Sequence, residues 1–587
     1  MCGIAGTMTA DGTPPSPEIL AALVKALRHR GPDGHGQYVK DDTGLIQTRL
    51  AIIDLVTGDQ PLFDADGAAL VANGEIYNYI ELRAAMPEVA FRTQSDCEVP
   101  LHLYRQRGAE FARTLRGMYA IAIHDPVAGR LLLARDPFGI KPIYYAETPQ
   151  GFVFASEPKA ILATGLLERK LVAAARDELM QLHYVTREAT AYQGIRRVLP
   201  GETLVIARGR IVERRRISAL PSSGIVARND DDAIAELDRV LEDSVRVHQR
   251  SDVPYGMFLS GGIDSSAILA MMARCNDKPV KAFTAGFSGT KVADERLHAR
   301  KVAAAFGAEH IEVEFGESDF WSLLPAIAAV LDDPTTDYAT LPTFKLAAAA
   351  RQAGLKVILS GEGGDELFAG YGRYRRLMRP WWLGGRQVHA HGTFDGLGVL
   401  REPSSAWRRG LEEAEATAQQ SGWTRLQKAQ AADCRNWLPN DLLIKLDRCL
   451  MAQGVEGRTP FLDPEMARFA FALPDGLKIR DGMGKWILRQ WLQRHAPVAE
   501  PFAKKRGFTV PVAEWIARRG DAVGTLVARQ ECVREFCHAD CVADLFKSSQ
   551  EKRAGFAAWS LLFYALWHKH HIEQTPIMPD VFVYLSM

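Results

Sequence analysis

The sequence has no net charge and no long apolar run. Over 587 positions, 71 Lys and Arg residues balance 71 Asp and Glu residues. This balance gives no electrostatic reason to expect a nucleic-acid or membrane partner. No stretch approaches the roughly 18 apolar residues of a membrane span, and the N-terminus lacks a basic segment followed by an apolar one. We therefore expect a cytoplasmic globular protein that binds neither nucleic acid nor membrane.

Cysteine is also scarce, with eight residues scattered along the chain. The densest group, Cys532, Cys537, His538 and Cys541, lacks the C-x2-C spacing of zinc sites and is typical of packing. Scattered cysteines in a chain of this size indicate reduced thiols and a cytosolic compartment. The length exceeds what a single hydrophobic core supports, so we expect at least two domains.

The pattern along the chain changes near residue 217. Before it, an early helix begins at Ser16 and Pro17, and short β-type runs follow. The runs that predict strands are 50–56, 118–124, 130–134, 151–155 and 203–207. Residues 217–230 are irregular and predict a linker between domains at 2–216 and 231–575. The second domain alternates strands and helices, which favours a parallel sheet, and becomes mostly helical after about residue 374.

Cys2 carries unusual chemistry at the start of the chain. If Met1 is removed, one residue bears both a thiol and a free α-amine. A thiolate attacks carbonyl carbons, and an N-terminal amine with a pKa of roughly 7.7–8.0 accepts protons near neutral pH. With Met1 in place the same nitrogen is an amide and is no base. The role of Cys2 as a nucleophile is therefore conditional on the mature N-terminus.

Polar residues at glycine-bearing or strand-end positions form a first candidate site. They are Arg49, Asn73, Gly74, Glu75 and Asp96. An amino-acid amide substrate needs a guanidinium for its carboxylate, an acid for its ammonium and donors for the oxyanion formed on attack. Spacing alone leaves open that Arg49 forms a surface salt bridge and that Asn73-Gly74 forms a turn.

These residues lie in motifs that resemble the class II glutamine amidotransferases. The matching runs are Cys2 onward, 28–33, 49–54, 73–78 and 95–98. The resemblance implies an N-terminal nucleophile fold, a four-layer α/β/β/α sandwich. It implies Cys2 as nucleophile and, through its amine, as base, with Asn73 and Gly74 as the oxyanion hole. Arg49 and Asp96 would hold glutamine, with further contacts from Asn73, Gly74 and Glu75.

A second candidate site follows two apolar strands. The loop with Ser260, Gly261, Gly262, Asp264 and Ser265 links a strand to a helix, a setting that favours phosphate. No Walker lysine follows, which excludes an ordinary P-loop. Val357 to Leu359 then lead into Ser360, Gly361, Glu362 and Asp365.

Ligands of an open parallel sheet lie at the strand C-termini, so both loops can face one nucleotide. Asp264 and Asp365 offer the hard oxygen ligands that Mg²⁺ prefers. Glu362 is a candidate proton acceptor for the attacking ammonia or its adduct.

The first loop resembles the SGGxDS loop of N-type ATP pyrophosphatases, and the order of both domains resembles the glutamine-hydrolysing asparagine synthetase family. Further matching motifs lie at 445–448, 455–463, 484–489 and 505–508. The resemblance implies that Leu259, Ala285, Ser360 and Gly361 contact the AMP moiety. It also implies that Lys485 stabilises the adenylate, that Lys505 meets pyrophosphate, and that the protein is a homodimer.

The implied reaction joins two half-reactions. Glutamine is hydrolysed at Cys2, and neutral ammonia crosses an apolar passage to a carboxylate activated by ATP as acyl-AMP. We favour aspartate as the acceptor, which gives asparagine, glutamate, AMP and pyrophosphate. Where some family members carry an arginine, this chain has Asp337 and Tyr338, so other carboxylates, on a peptide or a cell-envelope precursor, stay open. A sugar or phosphoribosyl aminotransferase would share Cys2 but lack the loop at 260–266.

Overall fold

The structure is a computed structural model that describes residues 2–222, 224–292, 294–385, 388–402, 404, 406–419, 422–503 and 509–587. Within those ranges, no helix combines the length and apolarity required to cross a membrane. All eight cysteines are free thiols.

The N-terminal part, residues 2–216, is built on two antiparallel sheets. Its strands are β1 (Cys2–Thr9), β2 (Gly34–Lys40), β3 (Thr43–Arg49), β4 (Leu62–Phe63), β5 (Ala69–Ile76), β6 (Gly117–Asp125), β7 (Arg130–Arg135), β8 (Tyr144–Thr148), β9 (Gly151–Ala155), β10 (Arg196–Arg197), β11 (Glu202–Ala207) and β12 (Arg210–Arg216). The first sheet has the order β10-β8-β9-β1-β3-β2 and the second β12-β11-β7-β6-β5-β4. The strand that carries Cys2 is thus interior to the first sheet, and the strand that carries Asn73 lies in the second.

Helices cover the outer faces of both sheets. They are α1 (Pro17–Leu27), α2 (Tyr79–Ala84), α3 (Val99–Arg107), α4 (Pro158–Ala163) and α5 (Ala173–Leu182). Leu23 of α1 packs on the first sheet, and Leu101 of α3 packs with Ile121 of the second. Ile4 and Leu133 meet between the two sheets. The predicted α/β/β/α sandwich is confirmed.

Most of the predicted local elements are present, with one error. Helix α1 begins after Ser16, whose Oγ accepts from the N–H of Glu18 (3.2 Å). Strands β6, β7, β9 and β11 occupy the runs predicted for them. The strand predicted at 50–56 is wrong, because the strand ends at Arg49. Leu50 and Ile52 are buried against the C-terminal part instead of within a sheet, so their apolar character reflects an interdomain contact.

The C-terminal part is organised around a five-stranded parallel sheet of order β15-β14-β13-β16-β17. The strands are β13 (Tyr255–Phe258), β14 (Lys281–Gly286), β15 (Glu309–Glu314), β16 (Val357–Leu359), β17 (Glu456–Arg458) and a separate hairpin of β18 (Ile479–Arg480) and β19 (Met483–Gly484). The predicted parallel sheet is confirmed.

Helices pack around this sheet and form most of the chain beyond residue 374, as predicted. They are α6 (Asp230–His248), α7 (Ile263–Cys275), α8 (Arg296–Ala305), α9 (Glu317–Val330), α10 (Thr340–Gln352), α11 (Gly364–Leu367), α12 (Gly372–Leu377), α13 (Arg409–Thr417), α14 (Arg425–Arg435), α15 (Leu443–Met451), α16 (Pro464–Ala472), α17 (Asp475–Lys478), α18 (Trp486–His495), α19 (Val512–Arg518), α20 (Gly520–Arg529), α21 (Glu531–Arg534), α22 (Ala539–Lys547), α23 (Lys552–His571) and α24 (Val581–Ser586). The segment predicted as a linker, 217–230, leads into α6, which begins at its last residue, Asp230.

Candidate functional site

Cys2 is buried at the start of β1 and faces polar groups from neighbouring strands. The residue is 7 % exposed, and Gln47 Nε2 donates to its Sγ at 2.9 Å. Burial raises the pKa of the Cys2 thiol, while the N–H of Leu50 and the guanidinium of Arg49 act in the opposite direction. A base close to Sγ is therefore needed to form the thiolate at neutral pH.

Asn73 lies directly beside Cys2. Its Oδ1 accepts a hydrogen bond from the main-chain nitrogen of Cys2 at 3.1 Å. The Nδ2 of Asn73 is buried and has no hydrogen-bond partner among the described residues. At Gly74 the backbone φ is +154°, and a Cβ there would lie 2.1 Å from the carbonyl oxygen of Met118. An unpaired amide donor next to a thiol and a strand position closed to side chains fit an oxyanion hole.

The two acidic residues predicted to hold glutamine are both buried near this pair. Asp96 Oδ2 accepts from the N–H of Ile76 at 2.6 Å, and burial raises the pKa of Asp96 to about 6. Burial and then the carboxylate of Glu456 raise the pKa of Glu75 well above its usual range, while Arg458 opposes this shift.

Arg49 is engaged in a local pair. It donates to Asp59 Oδ1 at 2.6 Å and to the carbonyl of Asp54. The Asp59 side chain is 82 % exposed, so this pair contributes little stability and a substrate carboxylate can compete for the guanidinium.

The loop after β13 has the geometry of a phosphate cradle. Gly261 adopts a φ of +70°, and the Oγ atoms of Ser260 and Ser265 lie 3.1 Å apart. The N–H of Gly262 donates to Ser260 Oγ at 3.2 Å, and Gly262 precedes α7 directly. Small side chains therefore surround a helix N-terminus, where partial positive charge favours phosphate.

Three charged residues meet beside this loop. Lys485 Nζ lies 2.8 Å from Asp365 Oδ1 and also contacts Asp264 Oδ2. Burial alone would lower the pKa of Lys485, but the two carboxylates raise it. A Cβ on Gly364 would lie 2.5 Å from Asp264 Oδ1, so the acidic loop approaches the cradle closely. Two hard carboxylates at a phosphate site form a donor set suited to Mg²⁺.

A cavity of 410 Å³ brings six of the predicted residues together. Among its lining residues are Ser260, Gly261, Gly262, Asp264, Asp365 and Lys485. Tyr338 and Trp437 line it as well, which gives aromatic surface beside the polar end. The volume lies in the range of small-molecule and cofactor pockets.

The other predicted nucleotide residues lie behind or beside this cavity. Ser265 contacts Ser260, as above, and a Cβ on Gly361 would lie 3.0 Å from Asp264 Cβ. The sheet buries the side chains of three further residues, namely Leu259, Ala285 and Ser360. Ser360 Oγ donates to Glu362, which places that carboxylate at the C-terminal end of β16. Lys505 lies outside the described residues.

The region expected near the acceptor holds a buried acidic group. Asp337 and Tyr338 line the 410 Å³ cavity, and Lys445 Nζ donates to Asp337 Oδ2 at 2.9 Å. Burial and then the Asp337 carboxylate raise the pKa of Asp441 to about 8, although Thr335 donates to it. Burial alone would lower the pKa of Lys445, but the carboxylates of Asp337 and Glu362 raise it.

The sequence did not predict two sets of residues: two residues that contact Cys2, and a cluster of possible metal ligands in the C-terminal part. Gln47 lies two residues before Arg49 on β3 and therefore points to the same face of the sheet. The period-two alternation of a strand that contains Arg49 could have identified Gln47 from the sequence. Arg30 donates to the carbonyl of Cys2 at 3.2 Å, but its partners are distant in sequence. The structure also gathers ligand atoms of Cys532, His568 and Glu573 within 4.8 Å of one another, which sequence spacing did not reveal.

The chain is similar to known proteins over nearly its whole length. A family profile described as Asparagine synthase matches residues 236–569, and one described as Glutamine amidotransferase domain matches residues 1–216. A Mycobacterium tuberculosis protein provisionally named asparagine synthetase (glutamine-hydrolyzing) is 33 % identical over 99 % of both chains.

Two further relatives show the range of names in this group. Asparagine synthetase (glutamine-hydrolyzing) 1 of Bacillus subtilis is 31 % identical, covering 99 % of this chain and 98 % of the relative. A Penicillium rubens protein named Amidase chyE is 28 % identical over 88 % of this chain and 89 % of its own length.

Proposed function

The chain belongs to the asparagine synthetase family of glutamine-dependent amide ligases, and from this premise we propose that aspartate is the carboxylate it amidates. Glutamine and ATP are its small-molecule substrates. The observation that supports the proposal is the presence, in one chain, of the Cys2 and Asn73 pair and of the phosphate cradle beside Lys485, Asp264 and Asp365. The first site releases ammonia, and the second activates the acceptor.

At the first site, Cys2 Sγ attacks the amide carbon of glutamine. Removal of Met1 converts the nitrogen of Cys2 into an amine that Asn73 Oδ1 already orients, and this amine takes the thiol proton and delivers it to the leaving ammonia. The free Nδ2 of Asn73 and the backbone of Gly74 stabilise the oxyanion. Water then releases glutamate from the thioester.

At the second site, the acceptor carboxylate attacks the α-phosphate of ATP and displaces pyrophosphate. Lys485 offsets negative charge on the adenylate, and the loop at 260–265 holds the phosphates. Asp264 and Asp365 would hold Mg²⁺, which neutralises phosphate charge when bound. Ammonia then attacks the carbonyl carbon of the acyl-AMP, Glu362 accepts a proton from the adduct, and the bond to the phosphate oxygen breaks so that AMP leaves.

A second candidate acceptor class is favoured by one observation. Asp337 lines the cavity beside Lys445 at a position where some family members carry arginine. A carboxylate on a larger molecule, such as a peptide or a cell-envelope precursor, is therefore the alternative to free aspartate.

The oligomeric state and the location of the protein are further proposals. We propose a homodimer, which analytical ultracentrifugation tests, and a cytoplasmic location, which cell fractionation tests.

Pyrophosphate release distinguishes these acceptors. The native protein is incubated with glutamine, Mg-ATP and a panel of carboxylates that includes aspartate, glutamate and acidic peptides. We expect aspartate to stimulate pyrophosphate release and asparagine to accumulate in equal amount. Stimulation by another carboxylate together with none by aspartate would overturn the aspartate proposal.

A further inference from the structure

One residue of the C-terminal part touches both candidate sites. The Nη2 atom of Arg458 lies 3.3 Å from the Oε2 atom of Glu75. Its main-chain carbonyl accepts from the N–H of Ser360 at 2.8 Å. Ser360 ends the strand that leads into Glu362 and Asp365, and Glu75 lies two residues after Asn73 on β5. Arg458 therefore joins the adenylate loop to the oxyanion-hole strand by two direct contacts.

The ion pair of Arg458 with Glu75 is not a hydrogen bond, whereas the other polar contacts of the Arg458 guanidinium are hydrogen bonds. Arg458 donates to Glu456 Oε1 at 2.5 Å and to the carbonyls of His248 and Arg250 at 2.8 and 2.7 Å. In the part of the chain that the structure describes, neither Glu75 Oε2 nor Arg458 Nη2 makes a hydrogen bond, although both are buried. Buried polar groups in this condition are costly, and a small shift would complete the bond between them.

The alternation of side chains along β5 relates Glu75 to Asn73, which contacts Cys2. Residues 73 and 75 of β5 project to one face of the sheet. The buried Nδ2 of Asn73 is likewise without a partner among residues the structure covers. A change in the Arg458 and Glu75 contact therefore acts on the strand that supplies the oxyanion donors.

From these contacts we propose that Arg458 is a positioning residue that couples occupancy of the nucleotide site to glutamine hydrolysis through Glu75. The inference rests on the proposed function of the two sites. A ligand that moves the Ser360 main chain moves Arg458 with it, and the completed bond to Glu75 sets the position of Asn73. Glutamine is then hydrolysed mainly when the acceptor site can use the ammonia.

Another interdomain ion pair provides a matched control. Arg116 contacts Asp463 at 2.7 Å and Asp243 at 2.6 Å across the same boundary. These contacts involve neither β5 residues 73–75 nor Ser360. An Arg116→Lys substitution therefore perturbs the interface without touching the proposed connection.

The test compares Arg458→Lys, Glu75→Gln and Arg116→Lys in the full chain. Glutamate release is measured with and without Mg-ATP, then with Mg-ATP plus aspartate, and ammonia-dependent amide formation is measured in parallel. For native protein and Arg116→Lys we expect stimulation by Mg-ATP and nearly one glutamate per AMP. For Arg458→Lys and Glu75→Gln we expect the stimulation to fall by about fivefold or more, with excess glutamate per AMP.

The Arg458→Lys variant should keep its ammonia-dependent synthesis, which shows that its nucleotide site is intact. The proposal is overturned if Mg-ATP stimulates glutamate release by Arg458→Lys as strongly as by Arg116→Lys, or if Glu75→Gln keeps the native stimulation. It is also overturned if Arg458→Lys loses ammonia-dependent synthesis together with the stimulation. If Arg458→Lys does not fold, the ratio of glutamate release with Mg-ATP to that without it decides for Glu75→Gln, because a direct loss of glutamine contact lowers both rates alike and leaves this ratio unchanged. Absence of pyrophosphate release with aspartate would refute only the proposed acceptor, since stimulation by Mg-ATP alone still reports the coupling.

Discussion

The guanidinium of Arg30 forms a bidentate ion pair with the carboxylate of Asp447, with both Nη–Oδ distances at 2.8 Å. Arg30 also contacts Glu157 at 2.7 Å, and the side chains of Arg30 and Glu157 are fully buried. Burial would raise the pKa of Asp447, but Arg30 lowers it. The two parts of the chain are thus joined by a charged contact directly behind Cys2.

Removal of Arg30 should destabilise the protein strongly. Arg30→Ala leaves Glu157 and Asp447 buried with fewer cationic partners, and breaking such a pair costs about 3–5 kcal/mol. We expect the lower end, because Arg448 also contacts Asp447 at 2.7 Å. Urea unfolding measures the change. Arg246→Ala removes a solvent-screened i,i+4 pair with Glu242 and should leave the free energy of unfolding nearly unchanged; equal losses for both variants would contradict this prediction.

The thiol of Cys2 should be needed for one half-reaction only. Cys2→Ala removes the nucleophile, so glutamine-dependent synthesis should fall by at least about a thousandfold, whereas ammonia-dependent synthesis should persist. Glutamate and AMP assays measure the two activities. Cys541→Ala, at a partly buried cysteine in α22, serves as the control. Mass analysis of the mature N-terminus checks the removal of Met1, and equal loss of both activities would refute separate sites.

Glutamine hydrolysis should weaken in mild acid through Asp96. Burial raises the pKa of Asp96 to about 6, and in the role that the family resemblance implies, its carboxylate must be ionised to hold the glutamine ammonium. As the pH falls through about 6, the group gains a proton and kcat/KM for glutamine should fall. A pH profile of glutaminase activity measures this. Asp96→Asn should lower kcat/KM and abolish its fall below about pH 6. If the variant shows the same fall in kcat/KM, the titrating group is another residue.

The carboxylate of Glu362 should be needed only for amide formation. Glu362→Gln cannot accept a proton from the ammonia adduct, so synthesis should fall by about 10²–10⁴-fold while glutamine hydrolysis continues. Glutamate release and asparagine formation are assayed together. Glu314→Gln, at the exposed end of β15, should leave both unchanged. Normal synthesis by Glu362→Gln would exclude the role assigned to this residue.

The sequence predicted those features that are local. The cap at Ser16, the β-type run of β6 and the Gly-rich turn at Gly261 each depend on neighbours within a few residues, and each has the predicted form. The segment at 50–56 failed for the opposite reason. Leu50 and Ile52 are apolar because they contact the C-terminal part, and no local pattern distinguishes such a contact from a strand.

The candidate sites follow the same rule. The structure places Cys2 next to Asn73 and Lys485 next to Asp264, although spacing alone had left open whether the candidate residues converge. Sequence reasoning did not reveal the contact of Arg30 with Asp447 or that of Arg458 with Glu75, each of which joins residues hundreds of positions apart. The expectation of an apolar ammonia passage also stays a prediction, while the boundary near Glu75 carries buried charged groups. Long-range ion pairs depend on how the two domains dock, and periodicity holds no information about docking.

Strand β17 is the last strand of the parallel sheet, and the N-terminal part covers it. Lys141 donates to the carbonyl of Gly457 at 3.4 Å, and Glu75 meets Arg458 beside it. An uncovered sheet edge is a template for pairing with other chains and for aggregation. The glutaminase part therefore also shields its neighbour, and a gene truncated to residues 231–587 would encode a protein with an exposed edge and unmatched buried charges. Loss of the first domain in evolution would thus require a replacement surface as well as another source of ammonia.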